Sequence, residues 1–138
     1  MLLCFLTVPI FSNTMVENAG MKCFNPEIKR EIKISSHKYI VNDKYYLVDF
    51  STWNEEIRDW LASKEELRLG SEHIHAINHL RTVYAQNKRH PTLRAVTSEL
   101  SKQFGAPKGT TKYFHTLFPK GIHQAYLVAG LPMQDSCC

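Results

Sequence analysis

The chain has 138 residues, 43% hydrophobic and 22% charged, with a formal net charge of +4. That length suits one domain with a modest hydrophobic core, and the composition excludes low-complexity and disulfide-scaffold classes. A charge of +4 is too mild to imply a nucleic-acid partner by itself.

The chain opens on an apolar run, Met1 to Phe11, that is similar to the central part of a signal peptide. It lacks a basic leading segment and a small-x-small cleavage site, and it is too short to span a bilayer. Met15 and Met21 offer later starts. Residues 1–30 are therefore read as an extension outside the domain, disordered or untranslated. Cys4 and Cys23 fall within it. No Cys-x-x-Cys occurs, and all four cysteines are read as reduced thiols of a cytoplasmic protein.

Ile32 to Val41 and Tyr45 to Phe50 are β-branched and aromatic runs around Asn42-Asp43-Lys44, which predicts a β-hairpin. Everything beyond it has helical spacing. Thr52 with Glu55 forms a capping-box pattern ahead of Trp53, Ile57, Trp60, Leu61 and Leu67, and Gly70 ends that unit. Ser71 is placed to cap a second helix with Ile74, Ile77, Leu80 and Tyr84 on one face. Pro91 suits the first turn of a third, with Leu93, Val96, Leu100 and Phe104 inward and Gly105 as its stop. After a loop over Ala106 to Gly109, Thr110 caps a short helix ending before Pro119. A last helix runs from about Ile122 to Ala129. The pattern predicts a mainly α fold, a small helical bundle after a hairpin, with a tail from Gly130.

Few side chains suggest chemistry. His73, His75 and His79 are spaced as zinc ligands can be, but their face lies opposite Ile77 and Leu80, so they are expected at the surface. Neither a metal site nor a cofactor site is expected. Gly105 to Thr111 is a poor phosphate loop, because Lys108 precedes Gly109 and a helix precedes the loop. The acid pairs Glu55-Glu56 and Glu65-Glu66 read as a solvated helix face. Between Lys88 and Lys120 seven basic residues face one acid, Glu99. Such a surface attracts anionic partners. Leu93 to Phe118 could pass for a helix-turn-helix, yet its second helix carries Tyr113, Phe114, Leu117 and Phe118, which suit a core better than a DNA groove.

Cys137 and Cys138 end the chain. A thiol on a short polar tail has no core to enter, so reactivity is the reason to look for. Gly130 and Pro132 terminate the preceding helix, which leaves residues 133–138 as an expected mobile arm.

Lys108-Gly-Thr-Thr-Lys-Tyr-Phe-His-Thr-Leu-Phe-Pro-Lys-Gly121 and Ala129-Gly-Leu-Pro132, followed by a penultimate cysteine, resemble the DsrC/TusE family of sulfur-relay proteins. Trp53, Glu72-His73, Leu80-Arg81, Tyr84, Pro91 and Arg94 extend the likeness, which covers roughly residues 31–138. The resemblance implies an orthogonal helical bundle over 31–132 and makes Cys137 the reactive group. Cys138 becomes a secondary thiol, and Arg94, Lys108, Lys112 and Lys120 a basic surface for the arm or an anion. It implies a persulfide carrier, a sulfurtransferase rather than a self-contained catalyst. Its expected partners are a TusBCD-like donor complex and an MnmA-like tRNA 2-thiouridylase, with tRNA met indirectly and no membrane. Members that serve dissimilatory sulfite reductase have a second cysteine eleven residues before the penultimate one. Tyr126 occupies that position, which favours the TusE-like role over a sulfite-reductase partner; a helix-turn-helix DNA-binding regulator stands as an alternative of a different class. Gln134, Ser136 and Cys138 depart from the usual family tail.

Overall fold

The computed structural model describes residues 28–134, so the extension to residue 27 and both terminal cysteines lie outside the described residues. Two antiparallel strands, β1 (Lys29–Ile34) and β2 (His37–Asn42), precede five helices. These are α1 (Glu55–Lys64), α2 (Ser71–Asn87), α3 (Leu93–Phe104), α4 (Thr111–Leu117) and α5 (Ile122–Val128), with single 3-10 turns at Phe50–Thr52 and Ala106–Gly109. Among the described residues no helix is long and apolar enough to cross a membrane.

The hairpin turns one segment earlier than expected. Ile34 pairs with His37 across Ser35-Ser36, and Ser35 takes a left-handed φ of 54°. Ile32 opposite Tyr39 supplies the buried face. The expected second strand, Tyr45 to Phe50, is reduced to one bridge between Val41 and Leu47. Asn42 explains this. Its side-chain oxygen accepts from the backbone N–H of Lys44 and of Tyr46, at 2.8 and 3.0 Å, so its own side chain reinforces a turn that also has backbone bonds from Asn42 to Tyr46 and from Val48 to Ile40.

Two helix starts also differ from expectation. Asn54, not Thr52, caps α1, accepting from the Ile57 N–H at 3.1 Å, while Thr52 belongs to a separate turn capped by Asp49. Gly70 rather than Ser71 occupies the cap of α2, and His73 Nδ1 accepts from the Gly70 N–H at 3.1 Å. At α3 the cap is Thr92, so Pro91 stands just before the helix instead of in its first turn. Thr110 caps α4 as expected, accepting from Tyr113 N–H at 3.0 Å.

Helix α1 ends with two reverse bonds, Leu67 N–H to Ala62 and Glu66 N–H to Ser63, the Schellman pattern. Glu66 holds the left-handed position at φ 60°. Leu67 thus lies beyond the helix it was expected to extend.

Helix α5 is the centre of the bundle. It is buried from Gln124 to Val128 and packs against α1 and α2. Ile57, Leu61, Ile77, Leu80, Leu100 and Phe114 close round it, all fully buried. Gly109 lets the 3-10 turn lie on α3, since a Cβ there would stand 2.3 Å from the Ser101 Cβ.

Glu66→Gly should stabilise the domain by about 0.5–1 kcal/mol, because glycine meets no Cβ penalty in the left-handed region. Chemical denaturation followed by circular dichroism checks this.

Candidate functional site

The end of α5 is where the chain heads for its terminal cysteines, and its polar atoms are accounted for one by one. A helix leaves its last carbonyls without internal partners. Here Leu131 N–H donates to Tyr126 and Gly130 N–H to Leu127, each at 3.1 Å. The Val128 carbonyl accepts from Trp53 Nε1 at 3.0 Å, and that of Ala129 from Arg81 Nη1 at 2.9 Å. One residue past the buried Leu131, His90 Nε2 donates to the Pro132 carbonyl at 2.5 Å. Met133 Sδ then accepts weakly from Asn42 Nδ2 at 3.5 Å.

Gly130 makes this geometry possible. Its φ is 75°, and an added Cβ would meet Trp53 Cδ1 at 2.4 Å and Arg81 Nη1 at 3.2 Å. Only glycine suits both the conformation and the space.

Arg81 is the keystone. Its second nitrogen, Nη2, donates to the Phe50 carbonyl at 3.1 Å. Its Cζ lies 3.8 Å from the Phe50 ring centroid and 4.2 Å from that of Trp53. Among the described residues it has no carboxylate partner, and burial brings its pKa down to about 10. It stays charged at neutral pH, facing the negative end of α5 and two aromatic π faces.

Tyr126, at the position of the second family cysteine, is 4% exposed. Its hydroxyl donates to the Pro91 carbonyl at 2.6 Å, and its ring lies between those of His90 and His123 at 4.8 and 5.5 Å. Burial raises its pKa, so it is a neutral structural phenol.

Cys137 and Cys138 lie outside the described residues. Of the expected basic surface, Lys108 pairs with Glu72 at 2.6 Å and Lys120 with Glu65 at 3.3 Å. Arg94 and Lys112 are exposed on α3 and α4. The four are thus not gathered into one cluster by ion pairing: two are committed to carboxylates on neighbouring elements. Of the expected arm, Met133 and Gln134 are partly buried.

The histidines correct the surface expectation. His73 Nε2 bonds the Leu117 carbonyl at 2.8 Å and its ring meets Phe118. His75 Nε2 bonds Glu99 at 2.8 Å, with His79 Nδ1 4.0 Å from the other oxygen of that carboxylate. They join α2 to α3 and α4. The helix has neighbours on more than one side, so the face opposite Ile77 is partly covered. The acid pairs are used as well: Glu56 accepts from Tyr39 Oη at 2.7 Å, and Glu65 from Gln124 at 3.1 Å.

Residues 33–138 match the family model described as DsrC like protein. A protein named Sulfurtransferase TusE from Photorhabdus laumondii subsp. laumondii is 36% identical over 93 residues, 67% of this chain and 84% of the relative. Another of that name from Salmonella choleraesuis is 33% identical, covering 67% and 85%. The NMR structure of Allochromatium vinosum DsrC superposes with a TM-score of 0.71 at 32% identity, over 80% of this chain and all of that one.

Two predictions follow the chain's exit. Arg81→Met, which orphans two carbonyls, and Gly130→Ala should each destabilise the domain by about 2–3 kcal/mol in urea denaturation. Burial lowers the pKa of His90, an effect that the Pro132 carbonyl opposes and His123 adds to. The unfolded chain therefore takes up that proton first, so stability from a neutral His90 is complete above about pH 6.5 and is lost as pH falls below it. Glu72, held low chiefly by the Lys108 hydrogen bond, gives a later loss below about pH 4.5. Melting temperature against pH should show both stages, and His90→Gln should weaken the first only.

Proposed function

The chain belongs to the DsrC-like protein family, and from that membership we propose that it is a cytoplasmic sulfur carrier working through Cys137. The observation that carries the reading is the anchored exit of the chain. Every carbonyl from Val128 to Ala129, and that of Pro132, is held by a side chain of another element. Cys137 is three residues beyond Gln134, a span of about 11 Å at most. A fixed exit and a short tether deliver a thiol to one region beside the bundle, which suits handing sulfur between docked proteins.

The chemistry is thiol exchange. The Cys137 thiolate attacks the outer sulfur of a donor persulfide; the donor's S–S bond breaks, the donor leaves as a thiolate, and Cys137 becomes the persulfide. An acceptor thiolate then attacks that outer sulfur and Cys137 departs as thiolate. No net oxidation occurs in either step. The rate follows thiolate fraction and access. In this reading the penultimate-cysteine pattern of the family makes Cys137 the working nucleophile and Cys138 secondary. The exposed Arg94 and Lys112 are the cations of the basic surface open to an anionic arm or partner, since Lys108 and Lys120 are in ion pairs.

In this reading the donor is a TusBCD-like relay complex and the acceptor an MnmA-like tRNA 2-thiouridylase, as the family resemblance implies. Tyr126 supports this over a partnership with sulfite reductase, because a buried phenol offers no second sulfur for an intramolecular bridge. A DNA-binding role draws no support from α4, which turns Phe114 and Leu117 into the core.

Incubation with a cysteine desulfurase, the relay proteins and labelled cysteine should load sulfur on Cys137, read by peptide mass spectrometry. Cys137→Ser should abolish loading and Cys138→Ser should largely spare it. Equal loading of wild type and Cys137→Ser would overturn the assignment.

A further inference from the structure

Between the hairpin and α1 lies a groove of about 520 Å³ that the relay chemistry does not use. Its walls carry two aromatic rings, Tyr45 and Trp60, three cations, Arg30, Lys33 and Lys64, and one acid, Glu31. Both aromatic residues are partly exposed. Their ring centroids are 6.3 Å apart at a 36° tilt.

Tyr45 reaches this place by an unusual backbone. Its φ is 71°, a conformation that a bulky residue adopts only when its surroundings impose it. The Asn42 turn does so, with Tyr45 N–H donating to the Asn42 carbonyl at 3.0 Å. The ring then gathers cations: Lys64 Nζ stands 3.9 Å and Arg30 Cζ 5.3 Å from its centroid. Among the described residues, Arg30, Lys33 and Lys64 have no carboxylate in ion-pair range, unlike Lys108 and Lys120. Glu31 faces Lys38 at 3.7 Å, which offsets its charge.

These features together select the ligand. Unpaired cations favour an anion, and exposed aromatic faces favour flat π systems. An unpaired polynucleotide strand offers both, with a base for each phosphate. An acidic peptide offers only the first. We infer that the groove binds an unpaired stretch of RNA, with a base against Trp60 and the flanking phosphates on Arg30, Lys33 and Lys64. The choice of RNA over DNA rests on the sulfur-relay reading, in which an RNA base is the final sulfur acceptor. The carrier would then touch the RNA itself as well as the enzyme that modifies it.

The test uses the full chain carrying Cys137→Ser, so that thiol chemistry cannot contribute. Fluorescence anisotropy with a labelled oligouridylate should show saturable binding that weakens as salt rises. Arg30→Glu and Lys64→Glu should each weaken it by about five-fold or more, because each turns a phosphate contact into a repulsion. Tryptophan emission should be quenched on binding, and Trp60→Phe should remove that quench while the far-ultraviolet dichroism is unchanged. The inference fails if polyglutamate or oligothymidylate binds as tightly as the RNA. It fails equally if nothing binds at low salt, or if Arg94→Glu and Lys112→Glu weaken binding while the groove variants do not. Sulfur loading is measured separately on the unmutated chain: its loss with RNA binding intact would sink the relay reading and not the groove.

Discussion

A half-buried guanidinium with no carboxylate partner among the described residues organises the end of α5. Arg81 spends its hydrogen bonds on two backbone carbonyls, one from the turn before α1 and one from the end of α5. Its charge is compensated by the negative pole of a helix and by two aromatic faces. A carboxylate would have neutralised the cation but could not have filled either carbonyl. This arrangement links segments that are distant in sequence, and it forces Gly130 on the chain because no Cβ fits beneath Trp53.

The same arrangement bears on sulfur transfer. A relay gains from presenting its thiol repeatedly at one place, because docking partners must find it. A helix end with unfilled carbonyls would fray and move the exit of the chain. Here Trp53 and Arg81 fill the Val128 and Ala129 carbonyls and His90 that of Pro132 just beyond, so fraying would break several bonds at once. The order of the α5 terminus is thus a condition for the tether beyond it to be useful.

Much of this was legible in the residues. Helical spacing located α2, α3, α4 and α5, and Thr110 and Gly105 marked their limits, because caps and periodicity are local signals. The hairpin misled for a physical reason: Ser35-Ser36 is a turn without glycine, asparagine or proline, whereas Asn42-Asp43-Lys44 has turn residues and makes a turn that a side chain reinforces. The histidines misled because a helical wheel knows one buried face, while α2 is also touched by α3 and α4. Arg81 was visible only as part of a family pattern. Its one local signal is a charge four residues after the buried Ile77 and beside Leu80, on the edge of an apolar stripe. The rings around Tyr126 bring together residues far apart in sequence, which no local pattern could announce.

Tyr126 constrains what its position can hold. Its phenol fills the space between two imidazoles and satisfies the Pro91 carbonyl ahead of α3. A cysteine at that position would leave a hole in the packing and an acceptor without a donor. The neighbours fit the larger side chain, so exchanging the phenol for a thiol would cost stability before it offered any sulfur chemistry. A second thiol at this position would need compensating changes in the residues packed around it.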